Sequence, residues 1–321
     1  MKAAINERYG SPNVIAIRDV PTPTPTEREI LIKIHATTVS RTDCGNLRGR
    51  PALFVRPVLG YFRPRQKILG MDFAGSVEAT GAGVKMFEAG DRVFGLSPQQ
   101  FGAHAQYLCL AEDAPIAVLP ADISFHEAVV CEGAWYANTY LEAFDVKPGD
   151  RILIYGASGA IGTAAVQLAK HYGAEVTAVV STRHLGLVES LGADHVIDYS
   201  AEDFTANGEP YDYVLDAVGK TTYFQCRKLL KPQGVFSATD LGPYWQNIAL
   251  SAWSTLVASR RVTFPLPKAT KQFIEYLRDL LAAKRFRAIV DRTYRLDQIA
   301  DAYRYVETAK KTGIVVVDVA A

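Results

Sequence analysis

The chain lacks several features that mark large classes of protein. Its four cysteines are scattered without a Cys-x-x-Cys pair, which argues against a disulfide framework and a zinc knuckle. No apolar run approaches the roughly 20 residues that span a bilayer, and Met1 opens without the apolar segment of a signal peptide. With a net charge of +1, the chain has no general attraction to nucleic acid or to a membrane. We therefore expect a cytoplasmic protein that binds neither.

The composition is that of a folded protein with room for two cores. Hydrophobic residues make up 49% and charged residues 21% of the 321 positions, which is ordinary for a globular chain. Before residue 124, short apolar runs punctuated by Gly and Pro predict a β-rich domain, a partly open barrel. Ser124 and Glu127 then form a capping box that opens a helix predicted over 124–144.

Beyond this helix, strands alternate with helices, which predicts a doubly wound parallel sheet. The six predicted strands are 151–155, 175–180, 195–199, 211–219, 234–240 and 261–267. Helices over 271–283 and 296–308 and a last strand over 313–319 return to the first domain. The predicted domains are therefore residues 1–122 with 268–321, and residues 123–267 inserted between them.

One stretch, RILIYGASGAIG at 151–162, carries the strongest chemical signal. A buried strand ends in a turn with Gly156, Gly159 and Gly162 and feeds a helix. Such a turn aims backbone N–H groups and the positive end of a helix dipole at one point, which suits a pyrophosphate. The spacing departs from the commoner Gly-x-Gly-x-x-Gly, so the pattern alone also permits a purely structural turn.

The end of the next strand indicates which dinucleotide would bind. Strand 175–180 runs into Ser181, Thr182 and Arg183 instead of an acidic residue. An Asp or Glu there would bind the ribose 2′-hydroxyl of NAD, whereas a hydroxyl and a guanidinium favour the 2′-phosphate of NADP. We therefore predict NADPH as the cofactor, with a polar strand-to-helix turn as the alternative.

Several motifs in order resemble the medium-chain dehydrogenase/reductase superfamily. They are LGMDFAGSVEATGAGV (69–84), VFGLS (93–97), FGAHAQY (101–107), the glycine turn with its helix, and LGADHVIDY (191–199). Within it, the chain resembles the zinc-free, NADPH-dependent quinone oxidoreductases related to zeta-crystallin. The resemblance implies a Rossmann domain inserted in a GroES-like barrel domain, and a homodimer formed through the sixth Rossmann strand.

The resemblance also implies where the cofactor lies. The pyrophosphate falls on the glycine turn, the 2′-phosphate between the ends of the second and third strands, and the nicotinamide beyond the fifth and sixth. The implied cofactor-binding residues are Ser40, Gly156, Ser158, Gly159, Ala160, Ile161, Gly162, Ser181, Arg183, Tyr199, Ala217, Val218, Gly219, Leu241, Phe264 and Leu266.

No metal site is expected in this sequence. The zinc-dependent relatives carry a Cys before Arg-Thr-Asp and a Gly-His-Glu, where this chain has Ser40 and Gly70-Met71-Asp72. A hydroxyl and a thioether beside one carboxylate make a poor tetrahedral zinc site. Asp72 is more simply explained as a carboxylate that braces the domain.

The implied reaction is hydride transfer from NADPH to a small-molecule acceptor, a quinone or another conjugated carbonyl. The segment 51–65 mixes arginines with aromatic residues and either contributes to substrate binding or packs on the barrel. Tyr61 within it is a candidate proton donor, and Glu132 is either a cleft residue or an acid on a helix face. The alternatives are a reductase of α,β-unsaturated carbonyls or enoyl thioesters and a non-catalytic NADPH-binding protein.

Overall fold

The computed structural model describes residues 1–206, 210–257 and 259–320. They form two compact units, unit 1 comprising Met1–Glu132 with Ala269–Ala321 and unit 2 comprising Gly133–Lys268. The sequence interpretation divided the chain after 122 and after 267. In the described ranges, no helix combines the length and the apolar character needed to cross a bilayer.

The N-terminal part of unit 1 consists of short strands and short helices. In chain order they are β1 (Lys2–Asn6), β2 (Ile15–Asp19), β3 (Glu29–Thr38), α1 (Arg41–Arg48), α2 (Ala52–Leu59), β4 (Asp72–Thr80), β5 (Arg92–Leu96), β6 (Tyr107–Ala111), β7 (Ile116–Val118) and α3 (Phe125–Ala128). A 3-10 helix over Pro12–Val14 separates β1 from β2. Helix α4 (Cys131–Phe144) begins in unit 1 and continues into unit 2.

Unit 2 alternates strands with helices. They are β8 (Arg151–Tyr155), α5 (Ala160–His171), β9 (Glu175–Val180), α6 (Leu185–Ser190), β10 (His195–Asp198), β11 (Tyr211–Asp216), α7 (Tyr223–Cys226), β12 (Leu230–Ala238), α8 (Gln246–Val257) and β13 (Arg261–Thr263). The strands pair in the order β10-β9-β8-β11-β12-β13, and every pairing is parallel. This sheet confirms the predicted doubly wound fold. From β8 the chain builds the sheet towards β10 on one side and from β11 towards β13 on the other, so the strand order reverses between the neighbours β8 and β11.

The central strands of this sheet are apolar along most of their length, as expected where both faces of a sheet are covered. Ile152, Leu153 and Ile154 of β8 are fully buried, as are Val214 and Leu215 of the adjacent β11. Parallel strands buried on both faces read as continuous hydrophobic runs instead of alternating ones. That property made the six strands recognisable in the sequence.

The chain after Lys268 returns to unit 1 as α9 (Lys271–Ala282), β14 (Val290–Arg295), α10 (Ile299–Glu307) and β15 (Ile314–Asp318). Strand β15 pairs in parallel with β14 and antiparallel with β3. The resulting sheet has the order β14-β15-β3-β4-β5-β7, with β6 also paired to β3. Strand β3 therefore has three partners and curls the sheet around the core of unit 1.

The predicted helix over 124–144 is two helices in the structure. Helix α3 ends after Ala128 because Val129 adopts φ −80° and ψ 58°, which is not helical, and α4 begins at Cys131. The side chains of Val129 and Val130 are buried, so packing of these β-branched residues outweighs helix continuity. The capping box of Ser124 and Glu127 is present as predicted.

Two further elements differ from their predicted form. Strand β13 ends at Thr263 instead of 267, because Pro265 and Pro267 have no N–H to donate to a ladder. The segment 51–65 carries helix α2 over Ala52–Leu59 and is irregular only beyond it. The Arg56 guanidinium of this helix lies over the Tyr9 ring, 5.2 Å from its centre, so this part of the segment packs against the N-terminal part of the same unit.

Replacing Ser124 with alanine should destabilise unit 1 by about 1 kcal/mol. The Ser124 hydroxyl accepts from the backbone N–H of Glu127 at 3.3 Å and donates to its Oε2 at 2.6 Å. Urea unfolding with Ser11→Ala as the matched control tests this, because Ser11 caps the Pro12–Val14 helix without a side-chain bond. Equal losses of stability in the two variants would contradict the role of the cap.

Candidate functional site

The residues that the sequence singled out in unit 2 gather at one edge of its sheet. Because all six strands run in parallel, the residue that follows each one lies at the carboxyl edge. Gly156 follows β8, Ser181 follows β9, Tyr199 follows β10, Ala217 follows β11, Leu241 lies shortly beyond β12 and Phe264 follows β13. Ligands of open α/β sheets bind at this edge, near the point where the strand order reverses.

The glycine turn joins β8 to α5 with little space for side chains. Gly156 has φ +74°, a conformation that favours glycine. A Cβ at Gly162 would lie 2.3 Å from the carbonyl oxygen of Gly156, so helix and turn approach each other closely there. Gly159 at the N-cap of α5 supplies no side-chain oxygen, which leaves the first N–H groups of this 12-residue helix to a ligand. The predicted contacts Ser158, Ala160 and Ile161 belong to the same turn.

The ends of β9 and β10 provide the predicted 2′-phosphate region. Arg183 is exposed in a 3-10 helix over Thr182–His184, and the Ser181 hydroxyl lies 3.3 Å from Nδ1 of His184. Tyr199 is 47% exposed, and its ring lies 5.9 Å from that of Tyr155 at the end of β8. Both the cation and the aromatic ring are therefore accessible to a ligand at the carboxyl edge.

An acidic side chain that the sequence analysis passed over lies beside this region. Asp198 accepts a hydrogen bond from the Thr182 hydroxyl at 2.5 Å and another from the backbone N–H of Ser200 at 2.8 Å. These bonds lower the pKa of Asp198. It stands at the end of the third strand, whereas NAD-binding proteins carry their ribose-binding acid at the end of the second.

Asp216 fixes the turn that follows β11. Its two carboxylate oxygens accept bonds from the backbone N–H groups of Val218, Gly219, Lys220 and Thr221 and from the Thr221 hydroxyl, at 2.6 to 3.0 Å. Burial raises the pKa of Asp216, and these bonds oppose that rise. The turn thereby presents Ala217, Val218 and Gly219 beside the glycine turn.

The remaining predicted residues are spread over both units. Phe264 is half-buried and Leu266 is 78% exposed in the irregular segment after β13. Ser40 and Tyr61 belong to unit 1, where Ser40 caps α1 and Tyr61 is 62% exposed beyond α2.

The residues at the positions where the zinc-dependent relatives carry zinc ligands do not fit zinc. The Ser40 hydroxyl donates to Asp43 Oδ2 at 2.9 Å and accepts from the backbone N–H of Asp43 at 3.0 Å, so it serves as a helix cap. Met71 is buried, and the sulfur beside Asp72 is the Cys131 thiol, whose pKa burial raises well above its ordinary range, so it is not the thiolate that zinc prefers. Throughout the described ranges, no group of three His, Cys, Asp or Glu side chains is placed to hold a metal ion.

Unit 1 instead holds a cluster of buried carboxyl groups at this position. Asp43, Asp72 and Glu132 are 0%, 1% and 6% exposed. Burial raises the pKa of Asp43 to about 6, against hydrogen bonds from Ser40 and from the backbone N–H of Gly70. Burial also raises the pKa of Glu132 to about 7, and burial with the charge of Glu132 raises that of Asp72 well above its ordinary range. Glu132 is thus a buried acid of unit 1, and no spacing in the sequence pointed to Lys311, whose charge acts on it.

Comparisons with known proteins agree with this architecture. Residues 26–134 match the alcohol dehydrogenase GroES-like domain, and residues 191–317 match a family described as zinc-binding dehydrogenase. A quinone-oxidoreductase homolog of spinach chloroplasts (Spinacia oleracea) is 31% identical, with 94% of this chain and 92% of that protein covered. An NADPH-dependent alkenal/one oxidoreductase of Arabidopsis thaliana chloroplasts is 30% identical over 99% of this chain and 79% of that protein.

A solved structure extends the similarity to the whole fold. The quinone oxidoreductase from Coxiella burnetii superposes with a TM-score of 0.88 at 30% identity, covering 99% of both chains. The chain therefore has the domain arrangement of a class of dehydrogenases and reductases, in which a Rossmann unit is inserted in a GroES-like unit. The chain belongs to the medium-chain dehydrogenase/reductase family, among the relatives of quinone and alkenal oxidoreductases.

Proposed function

We propose that this protein is an NADPH-dependent oxidoreductase that transfers a hydride to a quinone or another conjugated carbonyl compound. The observation that carries the proposal is the carboxyl edge of unit 2, where the glycine turn, Arg183 and the Asp216 turn all follow parallel strands. Relatives at 30% and 31% identity are named an NADPH-dependent alkenal/one oxidoreductase and a quinone-oxidoreductase homolog, which supports the same chemistry.

The residues of unit 2 fit NADPH in their charge as well as their shape. The first turn of α5 would take the pyrophosphate, because its N–H groups and the helix dipole point at the glycine turn. Ser181, Arg183 and Tyr199 would surround the 2′-phosphate, and the Asp198 carboxylate beside this region already accepts hydrogen bonds from Thr182 and Ser200. Leu241, Phe264 and Leu266 would lie along the nicotinamide, whose bound form supplies the hydride.

We propose that the reaction proceeds without zinc, because Ser40, Met71 and Asp72 provide a poor donor set for that metal. The chelator EDTA should therefore leave the rate of NADPH oxidation unchanged within about twofold. Adding zinc to the chelated protein should not raise the rate. A chelated protein that loses activity and regains it with zinc would contradict this part of the proposal.

The acceptor is tested by following NADPH oxidation with a naphthoquinone and with a 2-alkenal under the same conditions. A higher kcat/KM for the quinone supports quinone reduction, and a higher value for the alkenal supports the alkene reductase. The third possibility, a non-catalytic NADPH-binding protein, is supported by tight NADPH binding without oxidation by either acceptor.

Three further assignments stay predictions from the sequence. Tyr61 is the predicted proton donor, and Tyr61→Phe tests it through kcat with the alkenal. A homodimer through β13 is consistent with the position of this strand at the edge of its sheet, and light scattering at micromolar concentration tests it. The cytoplasmic location is the third prediction, and the two plant relatives named above are chloroplast proteins.

A further inference from the structure

Unit 1 contains a polar cavity that is lined by none of the residues assigned to NADPH. Its volume is about 430 Å³, and its walls come from β1, β2, the connection between these strands and Arg63, which lies beyond α2. Small-molecule sites in proteins have volumes of about 300–1,000 Å³. The cavity is therefore large enough for a ligand of its own.

The pairing of β1 with β2 brings Arg18 to the face of the sheet that carries Ile5. The two strands are antiparallel, with Ile5 opposite Ala16 and Ala3 opposite Arg18. Residues directly opposite each other share a face, and so do residues two apart along one strand. Ile5 and Arg18 therefore lie on one face, and both line the cavity.

Arg63 is held at the cavity by the chain on either side of it. Gly60 has φ +121°, and a Cβ there would lie 2.2 Å from the carbonyl oxygen of Arg63, so the turn between them is tight. The Tyr9 hydroxyl donates to the carbonyl oxygen of Gly60 at 2.6 Å. Beyond Arg63, the backbone N–H of Asn6 donates to the carbonyl oxygen of Lys67 at 2.9 Å. These bonds fix the backbone of Arg63 relative to the end of β1.

The charges on the cavity walls are mostly positive. The described lining residues include Arg8, Arg18, Arg63 and one carboxylate, Glu7. Nη1 of Arg18 forms an ion pair with Oε1 of Glu7 at 3.1 Å. For the exposed side chains of Arg8 and Arg63, the described ranges contain no hydrogen bond or ion pair. Two cations at one cavity repel each other, so a bound anion would stabilise this arrangement.

An amide and an apolar wall complete the cavity. Nη2 of Arg304 donates to Oδ1 of Asn13 at 2.8 Å, which orients the amide and leaves its Nδ2 group to donate to a ligand. Ile5 is buried and Val14 is half-buried, and both side chains are apolar. Hydrogen-bond donors beside an apolar surface suit an anion that carries an organic group.

We propose that this cavity binds the phosphate monoester of a small organic molecule. The phosphate would lie between Arg8 and Arg63, and the organic group would lie against Ile5 and Val14. A phosphate monoester carries about −1.5 to −2 charges at pH 7, which matches two unpaired cations. A guanidinium binds phosphate oxygens through two parallel N–H donors. The inference goes beyond the proposed function and does not depend on it.

Calorimetric titration of the full protein with phenyl phosphate tests the site. The titration is made at low ionic strength with saturating NADPH, so that the carboxyl edge of unit 2 is occupied. Wild type should bind phenyl phosphate with a Kd of about 1 mM or below. Phenyl sulfate has a similar shape but a single negative charge, and it should bind at least about tenfold more weakly. No saturable binding of phenyl phosphate, or equal affinities for the two compounds, would overturn the proposal.

Variants of the two unpaired arginines locate the bound phosphate. Arg8→Gln and Arg63→Gln should each weaken phenyl phosphate binding about tenfold, because each removes a charge-assisted contact. The matched control is Arg285→Gln, which changes an exposed arginine of unit 1 that does not line the cavity and should leave the affinity unchanged. Wild-type affinity in either Arg8→Gln or Arg63→Gln would overturn the proposal.

The variant Glu7→Gln should have the opposite effect. It removes the one carboxylate among the described lining residues and releases Arg18 from its ion pair. Phenyl phosphate should therefore bind about threefold more tightly than to wild type. Loss of structure does not produce tighter binding, so this variant separates the effect of charge from damage to the fold. Unchanged or weaker binding in Glu7→Gln would contradict the role of the cavity charges.

The results also distinguish this site from the proposed function. A protein that binds phenyl phosphate through Arg8 and Arg63 but oxidises NADPH with no acceptor supports the site and contradicts the proposed function alone. A protein that reduces a quinone but binds phenyl phosphate equally well in wild type and Arg63→Gln contradicts the site alone. Displacement of NADPH by phenyl phosphate would place the phosphate at the carboxyl edge of unit 2 and overturn the proposal.

Discussion

Replacing Gly162 with alanine should weaken NADPH binding about 100-fold. The added Cβ would lie 2.3 Å from the Gly156 carbonyl oxygen and 2.6 Å from the Ala157 Cα, and both of these are backbone atoms. Backbone cannot rotate away as a side chain can, so the glycine turn and α5 must separate. Overpacking of this kind costs about 3 kcal/mol at the upper end of its usual range. Binding requires the turn and α5 in their original positions, so returning them there opposes binding by up to that cost, and at about 1.4 kcal/mol per tenfold change this corresponds to the expected loss.

The measurement is the dissociation constant of NADPH, by calorimetry or by the fluorescence of the reduced nicotinamide. Gly186→Ala is the matched control, because nothing lies within 4 Å of a Cβ at Gly186, which is a residue of α6. The control should bind NADPH as wild type does. If Gly162→Ala bound NADPH with wild-type affinity, the glycine turn would not be the pyrophosphate site.

The sheet of unit 2 could be predicted because its signals are local. Each strand is a short apolar run, and the topology of a parallel sheet then brings the residues after the strands to one edge. Ser181 was placed by this rule, at the end of the second strand, whereas Leu241 was implied by the family resemblance. The capping box of Ser124 and Glu127 was likewise visible at a spacing of three residues.

What could not be predicted depends on packing or on contacts between distant parts of the chain. The break at Val129 interrupts a helical pattern that looks continuous, because burial of two valines is a property of the folded unit. The carboxyl cluster joins α1, β4, α4 and the segment before β15, and no sequence spacing links Lys311 to Glu132. The sequence analysis considered Asp72 and Glu132 separately, whereas the environment that they share with Asp43 is a property of the folded unit.

Replacing Arg183 with alanine should weaken NADPH binding about 10- to 100-fold and change NADH binding by less than about threefold. One charge-assisted hydrogen bond between a guanidinium and a phosphate contributes about 1–3 kcal/mol, which is the expected difference between the two cofactors. NADH has a hydroxyl where NADPH has the phosphate, so it does not depend on this charge. The loss should be larger at low salt, because Arg183 is exposed and ions screen exposed charges.

Two variants make the Arg183 result specific. Arg183→Lys keeps the charge without the planar fork and should fall between wild type and the alanine variant. Arg227→Ala removes an exposed arginine of unit 2 from the 3-10 helix that precedes β12, at the amino edge of the sheet, and should leave both cofactors unaffected. Equal weakening of NADH and NADPH by Arg183→Ala would show that this residue supports the turn after β9 and does not bind phosphate. The NADPH preference would then have to arise from other groups, and Ser181 and Tyr199 are the other two residues predicted to bind the 2′-phosphate.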